Sequence, residues 1–361
     1  MRRARRLTLA APPPDPFGER RRVALRQPLH LLGGRFEFET DSARLLRIVR
    51  HAYGGLAPQR FGPRAPRCRI RLTLTPGAGR RGRSGAPPPV RPLAGAHLLC
   101  GALDGASFVS LAPRQRAALL VVSRDLMHHA YHVRYELLEF AVYVLAARAQ
   151  ALVPLHAACV GRGGAGVLLI GASGAGKSTL VLHCLLAGLD LLAEDSVLVR
   201  PAGLRATGVP SFLHLRPDSL RFLERAERRS VRRHAAMIRR RSGVAKLEID
   251  LRGPRPLGTA PGCLARTPLR IGAVVFVSAR RAADDALLVP LAKSTVLARL
   301  AASQRYAATQ PGWRQFRTQV ARLPAYELQR GTHPRVAAAA LAALLGPPRP
   351  GRQRRRIKIR K

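Results

Sequence analysis

A chain of 361 residues with 47% hydrophobic residues is long enough to bury a sizeable core and to hold two domains. Its formal charge of +43 is carried almost wholly by arginine, 58 of the 63 basic residues. Such a surface attracts anions, but the arginines are spread over the whole chain and aromatic residues make up only 5%, which argues against a dedicated nucleic-acid groove.

The skew towards Arg, Ala, Gly and Pro also fits a GC-rich coding sequence. Five cysteines, Cys68, Cys100, Cys159, Cys184 and Cys263, are widely spaced and form no C-x-x-C pair. They give no sign of a zinc or redox centre and fit a reduced, cytoplasmic protein.

Residues 1–28 read as a basic, proline-bearing leader without periodicity. The start Met1-Arg2-Arg3 resembles the basic part of a signal peptide, but Pro12-Pro13-Pro14 stands where the apolar part would be. No apolar run reaches membrane-spanning length, because Glu139 and Arg148 bracket the longest candidate.

Residues 29–150 read as a small α+β domain. Phe36 and Phe38 alternate with Glu37 and Glu39 as in a half-buried strand, and Ser42–His51 has the apolar spacing of a helix. Strands are predicted over Cys68–Thr75, Phe108–Leu111 and Ala117–Val122, a loop over Pro76–Pro92, and a long amphipathic helix over Tyr131–Gln150. His128 and His132 stand four apart, a metal-binding spacing on a helix, but with no third ligand in frame they read as surface or interface histidines.

The second domain, 151–346, opens with a strand-like run Leu155–Val160, a Gly161-Arg162-Gly163-Gly164 turn and a second apolar run Val167–Ile170, which together predict a hairpin. It leads into Gly171-Ala172-Ser173-Gly174-Ala175-Gly176-Lys177-Ser178-Thr179, which matches the P-loop pattern G-x-x-x-x-G-K-[ST] throughout.

Glycines let backbone N–H groups converge on anionic oxygens, and the following helix adds its positive end. Lys177 is placed for the outer phosphates of a nucleoside triphosphate and Ser178 for Mg²⁺. The helix from Lys177 ends near Gly188, and the strand Asp190–Ala193 ends at Glu194-Asp195, carboxylates placed for phosphoryl transfer. Adjacent strand residues point to opposite faces, so only one acid aims at the γ-phosphate unless the strand has already ended.

The stretch Leu155–Val160, the loop Gly171–Thr179, Leu185-Leu186-Ala187-Gly188 and Leu191–Val197 together resemble the catalytic domain of bacterial HPr kinase/phosphorylase and its kinase-like relatives. The likeness runs from Leu155 to Leu215, more weakly to Leu345, and does not extend to the first domain.

The resemblance implies an α/β P-loop fold of the HPr kinase/phosphoenolpyruvate carboxykinase type, ring assembly, and Mg-ATP-dependent phosphorylation of a hydroxyl, serine of a protein or peptide. By position the catalytic base is Glu194, its acidic neighbour Asp195, which with Ser178 serves the metal, and the assisting histidine His156. Both acids remain candidates for the base, because the family has aspartate where Glu194 stands. A downstream family acid has no counterpart in Val209–Leu213, Asp218 being the nearest substitute. The family's later glycine-containing signature has no match, so a kinase without phosphorylase activity is expected.

Beyond this core, Asp218–Ser242 is strongly basic with partial helical character. Val244–Leu251 and Ile271–Val277 read as strands, the second ending without the aspartate of a standard Walker B motif. Helices follow at Lys293–Gln304, Trp313–Arg322 and Pro334–Leu345, with a strand at Tyr326–Leu328, before a basic tail over 347–361. Two alternatives stand beside the kinase: an ATP-binding scaffold without transfer, and a basic P-loop ATPase acting on nucleic acid.

Overall fold

The computed structural model describes residues 23–77, 89–95, 97–103, 105–253, 257, 264–283 and 286–347. Most of the expected leader, the middle of the Pro76–Pro92 loop, Cys263 and the basic tail from 348 lie outside the described residues.

β1 (Leu25–Leu31) and β2 (Gly34–Thr40) form an antiparallel hairpin. Residues 25–28 therefore belong to a sheet rather than to a leader; Arg26 and Pro28 sit on an edge strand, where a charge and a missing N–H are tolerated. The Ser42 hydroxyl caps α1 (Ala43–Tyr53) by accepting from the Leu45 amide at 3.4 Å. The face carrying Leu45, Val49 and Tyr53 is buried.

β3 (Arg67–Thr75), β4 (Arg91–Gly95), β5 (Leu98–Ala102), β6 (Phe108–Ala112) and β7 (Ala117–Ser123) complete a sheet of order β1-β2-β3-β7-β6-β5-β4. In it β3 runs parallel to both β2 and β7. The short α2 (Ala130–His132) continues through a π-helical turn, Val133–Leu138, into α3 (Glu139–Gln150).

The amphipathic helix expected here is instead buried around most of its circumference, at Ala141, Val142, Val144, Leu145, Ala146 and Ala147. It packs against the sheet while Leu198 of the second half joins the same core. His132, read as a surface or interface histidine, is buried with its ring edge-on to Tyr131.

The second half holds β8 (Val153–His156), β9 (Ala158–Arg162), β10 (Ala165–Ile170), α4 (Lys177–Leu186), β11 (Asp190–Ala193), β12 (Ser196–Arg200) and β13 (Arg205–Gly208). Next come β14 (Phe212–Leu215), α5 (Arg225–His234), β15 (Ala235–Arg239), β16 (Ala245–Asp250) and β17 (Leu269–Arg281). β18 (Leu288–Pro290), α6 (Lys293–Ser303), α7 (Arg305–Ala308), α8 (Trp313–Val320), β19 (Ala325–Arg330) and α9 (Pro334–Leu344) close the chain.

The main sheet runs β11-β9-β10-β17-β13-β12-β8, with β19 added to β17 and β18 to β19. The expected hairpin is β9–β10, turning at Gly163-Gly164. The single strand expected over Leu155–Val160 is two, broken at Ala157: β8 pairs with β12, whereas β9 pairs with β10 and β11. Both pieces are apolar because the sheet is covered on both sides.

Val167 and Leu169 point to α4, α9 and a small sheet β14-β16-β15; Leu168 and Ile170 point to the side of Trp313 and Phe316. The protein is thus a mixed α/β molecule with several sheets. No helix among the described residues is long and apolar enough to cross a membrane.

Candidate functional site

The glycine-rich loop joins the end of central strand β10 to the start of α4. Gly174 and Gly176 have φ of 86° and 97°, left-handed values that a side chain would strain. The first amides of α4 lack intrahelical acceptors and face the loop, the arrangement that receives an anion. The Lys177 ammonium donates to the carbonyls of Gly171 at 2.6 Å and Ala172 at 3.2 Å. Burial draws its pKa below the ordinary lysine range, against the opposing pull of Asp195 and Glu194.

β11 ends at Ala193, so Glu194 and Asp195 lie in a bend and diverge. What aligns this bend is a close approach: a Cβ on Gly208 would stand 2.5 Å from both the Leu192 carbonyl oxygen and the Ala193 Cβ. Only glycine lets β13 pass so near the strand end that aims the acids.

Glu194 turns inward and is 7% exposed. Its Oε1 accepts from the Ser178 hydroxyl at 2.5 Å, and its Oε2 accepts from the His214 amide at 3.0 Å and lies 2.9 Å from His214 Nδ1. Asp195 turns outward, with Oδ1 3.3 Å from His156 Nδ1 and Oδ2 accepting from the Tyr135 hydroxyl at 3.5 Å.

The two acids therefore take different partners. Ser178 meets Glu194, and His156 meets Asp195. The reason is the bend: once pairing stops, consecutive residues take directions set by their separate neighbours rather than by strand alternation.

Thr179 bonds Ser219 at 2.9 Å and stands outside this pair of contacts. Asp218, the substitute considered for the missing downstream acid, is exposed. Among the described residues no group of three or more His, Cys, Asp or Glu could hold a metal. His156 is held from behind by Gln304, which accepts from its amide at 2.8 Å and donates to its carbonyl at 3.1 Å.

His214, Glu248, Arg134 and Tyr135 escaped the sequence reading. His214 Nε2 lies 3.0 Å from Glu248 Oε2, and Glu248 is ion-paired to Arg134, whose guanidinium also sits 4.1 Å from the Phe212 ring centroid. Arg134 and Tyr135 belong to the π-helical turn, whose widened spacing aims them at the second half of the chain. A continuous run of polar contacts thus joins Ser178 to the first sheet's helix. The legible signal was alternation: His214 lies between Leu213 and Leu215, and Glu248 between Leu247 and Ile249, each on the face away from the core.

Electrostatics fixes the charge states. Burial pushes the Glu194 pKa up, but hydrogen bonds from His214 and Ser178 and the charge on His214 outweigh it and hold the carboxyl below its ordinary range. For His214 burial opposes charge, and the two flanking carboxylates win, raising it from 6.5 to about 9. Glu248, though burial opposes it, is drawn from 4.5 down to about 2 by His214 and Arg134.

The histidine's contribution to stability is complete below about pH 6.5 and lost as pH rises through about 9; that of Glu248 is complete above about pH 4.5 and lost as pH falls through about 2. Together they are fully present between about pH 4.5 and 6.5. Counted once as a pair, they amount to about 3 kcal/mol. Urea unfolding at pH 6 and pH 9 is expected to show the alkaline loss in the native sequence and not in His214→Leu.

Compared with models of known protein families and with curated proteins, the chain matches none.

Proposed function

We propose that the chain is an ATP-dependent phosphotransferase with a P-loop of the HPr kinase/phosphoenolpyruvate carboxykinase type, working in the cytoplasm. It would pass the γ-phosphoryl group of Mg-ATP to a hydroxyl, serine of a protein or peptide being the acceptor that the resemblance implies. The observation that carries this reading is the pair of contacts at the mouth of the glycine loop: Ser178 with Glu194 on one side, Asp195 with His156 on the other.

The residues fit both expected ligands. The loop's left-handed glycines and helix N-terminus suit a triphosphate. A hydroxyl and an ionised carboxylate in contact, Ser178 and Glu194, are the hard oxygen donors that Mg²⁺ takes. Bound there, Mg²⁺ supplies charge neutralisation on the outer phosphates.

Lys177 exchanges its two loop carbonyls for phosphate oxygens. Glu194 has both oxygens occupied and is held ionised, so it positions Ser178 and does not serve as base. Asp195 takes the proton of the acceptor hydroxyl, with His156 and Tyr135 orienting its carboxylate. The freed oxygen bonds to the γ-phosphorus as the bond to the β,γ-bridging oxygen breaks, and ADP leaves.

The test is transfer of label from γ-labelled ATP in lysate of the native host. Lys177→Ala is expected to abolish acceptor labelling and weaken ATP binding at least tenfold. Should the native chain bind ATP and label nothing beyond the Lys177→Ala background, the ATP-binding scaffold replaces the kinase. The exposure of Asp218, the nearest substitute for the missing downstream acid, favours that second reading.

A further inference from the structure

The small sheet turns unlike faces to its two sides. Leu213, Leu215, Leu247 and Ile249 enter the core beneath α4. By register and alternation, His214, Lys246 and Glu248 with Ile238 of β15 line the opposite face, towards Asp195 and the π-helical turn. Arg240 extends that face one residue past β15, its amide donating to Val244 O at 3.1 Å. Its guanidinium stands 5.5 Å from the Tyr135 ring centroid, and the Tyr135 hydroxyl is the one on Asp195. Arg216 brings Nη2 to 3.9 Å from where a Gly174 Cβ would stand.

Three of the cations here are paired: Arg134 with Glu248, Arg241 with Glu136, Arg252 with Asp250. Lys246 and Arg240 are half-buried, and among the described residues neither makes an ion pair. Arg240 Nε is closed off from solvent without a hydrogen-bond partner. Burial and the like charge of Arg240 draw the Lys246 pKa down, against Glu194 and Asp195. Burial opposes the Arg240 charge, but Tyr135, Tyr131, Asp195 and Glu194 favour it and outweigh burial. The electrostatic cost therefore falls on Lys246, and one doubly charged anion offsets it better than a carboxylate. A phosphate monoester carries about −1.5 to −2 at neutral pH and three acceptor oxygens.

We propose that the hydroxyl-bearing acceptor is itself a phosphate monoester, its phosphate held by Lys246 and Arg240 and its hydroxyl presented to Asp195. The Tyr135 ring, stacked on Tyr131 at 5.5 Å, lies between the two positions, its face towards Arg240 and its hydroxyl on Asp195. This rests on the phosphotransferase reading for the hydroxyl's fate, but the anion site itself does not.

Calorimetry on the full chain, saturated with Mg²⁺ and the β,γ-imido analogue of ATP so that the γ position is filled, tests it with inorganic phosphate as the first probe. One further phosphate site is expected, weakened about tenfold or more in both Lys246→Met and Arg240→Met, with analogue affinity held within about twofold. Absence of that site, or its survival in both variants, overturns the proposal. So does an equal loss of analogue affinity, which would make the two cations ligands of the nucleotide.

If the analogue fails to bind while phosphate binding stays dependent on Lys246, the anion site stands and the phosphotransferase reading falls. Free O-phosphoserine and a phosphoserine peptide then separate the sources: tight binding of the first marks a small acceptor, of the second alone a phosphorylated chain.

Discussion

His214→Leu is expected to lower stability by about 3 kcal/mol, because it removes the one cation between two buried carboxylates. Glu194 keeps the residue-214 amide and the Ser178 hydroxyl, and Glu248 keeps Arg134, yet both lose the imidazolium that lies 2.9 and 3.0 Å from their oxygens. Leucine fills similar volume, so the loss is electrostatic rather than a cavity. The urea midpoint measures it.

Two further readings separate this cause from general damage. In the variant the buried Glu194 favours its protonated form, so stability should rise as pH falls towards its raised pKa, the reverse of its behaviour in the native chain. Adding Glu194→Gln should restore much of the loss, a coupling that a packing defect would not show. If His214→Leu is neutral at pH 6, the imidazolium between these carboxylates is not what holds them.

Asp195→Asn is expected to slow phosphate transfer by about 10²–10⁴-fold while leaving ATP binding intact, the range for loss of a positioned general base. Glu194→Gln should act differently. It weakens the carboxylate beside Ser178, so its defect should appear as a raised Mg²⁺ requirement that excess metal partly relieves. Transfer rates measured against Mg²⁺ concentration distinguish the two. A rate in Asp195→Asn within a few-fold of the native chain would return the role of base to Glu194, and with it the expectation drawn from position in the sequence.

The order of local structure was legible because it depends on residues near one another in the chain. Alternating Phe36 and Phe38, the spacing of Leu45 and Val49, and the apolar run before Gly171 each specify an element without help from distant parts. The glycine pattern likewise marked a strand–loop–helix turn suited to anions. Edge strand β1 was illegible because Arg26 and Pro28 suit an edge yet read as a leader, and α3 looked amphipathic because its neighbours on both sides were not in view.

Pairings at the site were of another kind. Ser178 meets Glu194, and Asp195 meets His156 and Tyr135, only because β11 stops at Ala193 and β8 separates from β9 at Ala157 to lie beside β12. His214, Glu248 and Arg134 come from a strand, a neighbouring strand and a π-helical turn far apart in the chain. The sequence by itself determined which residue types were present and which elements carried them. Which carboxylate is buried, which is open to an acceptor and which cations stand without partners were decided by tertiary structure, since burial and charge pairing depend on surroundings contributed by the whole fold.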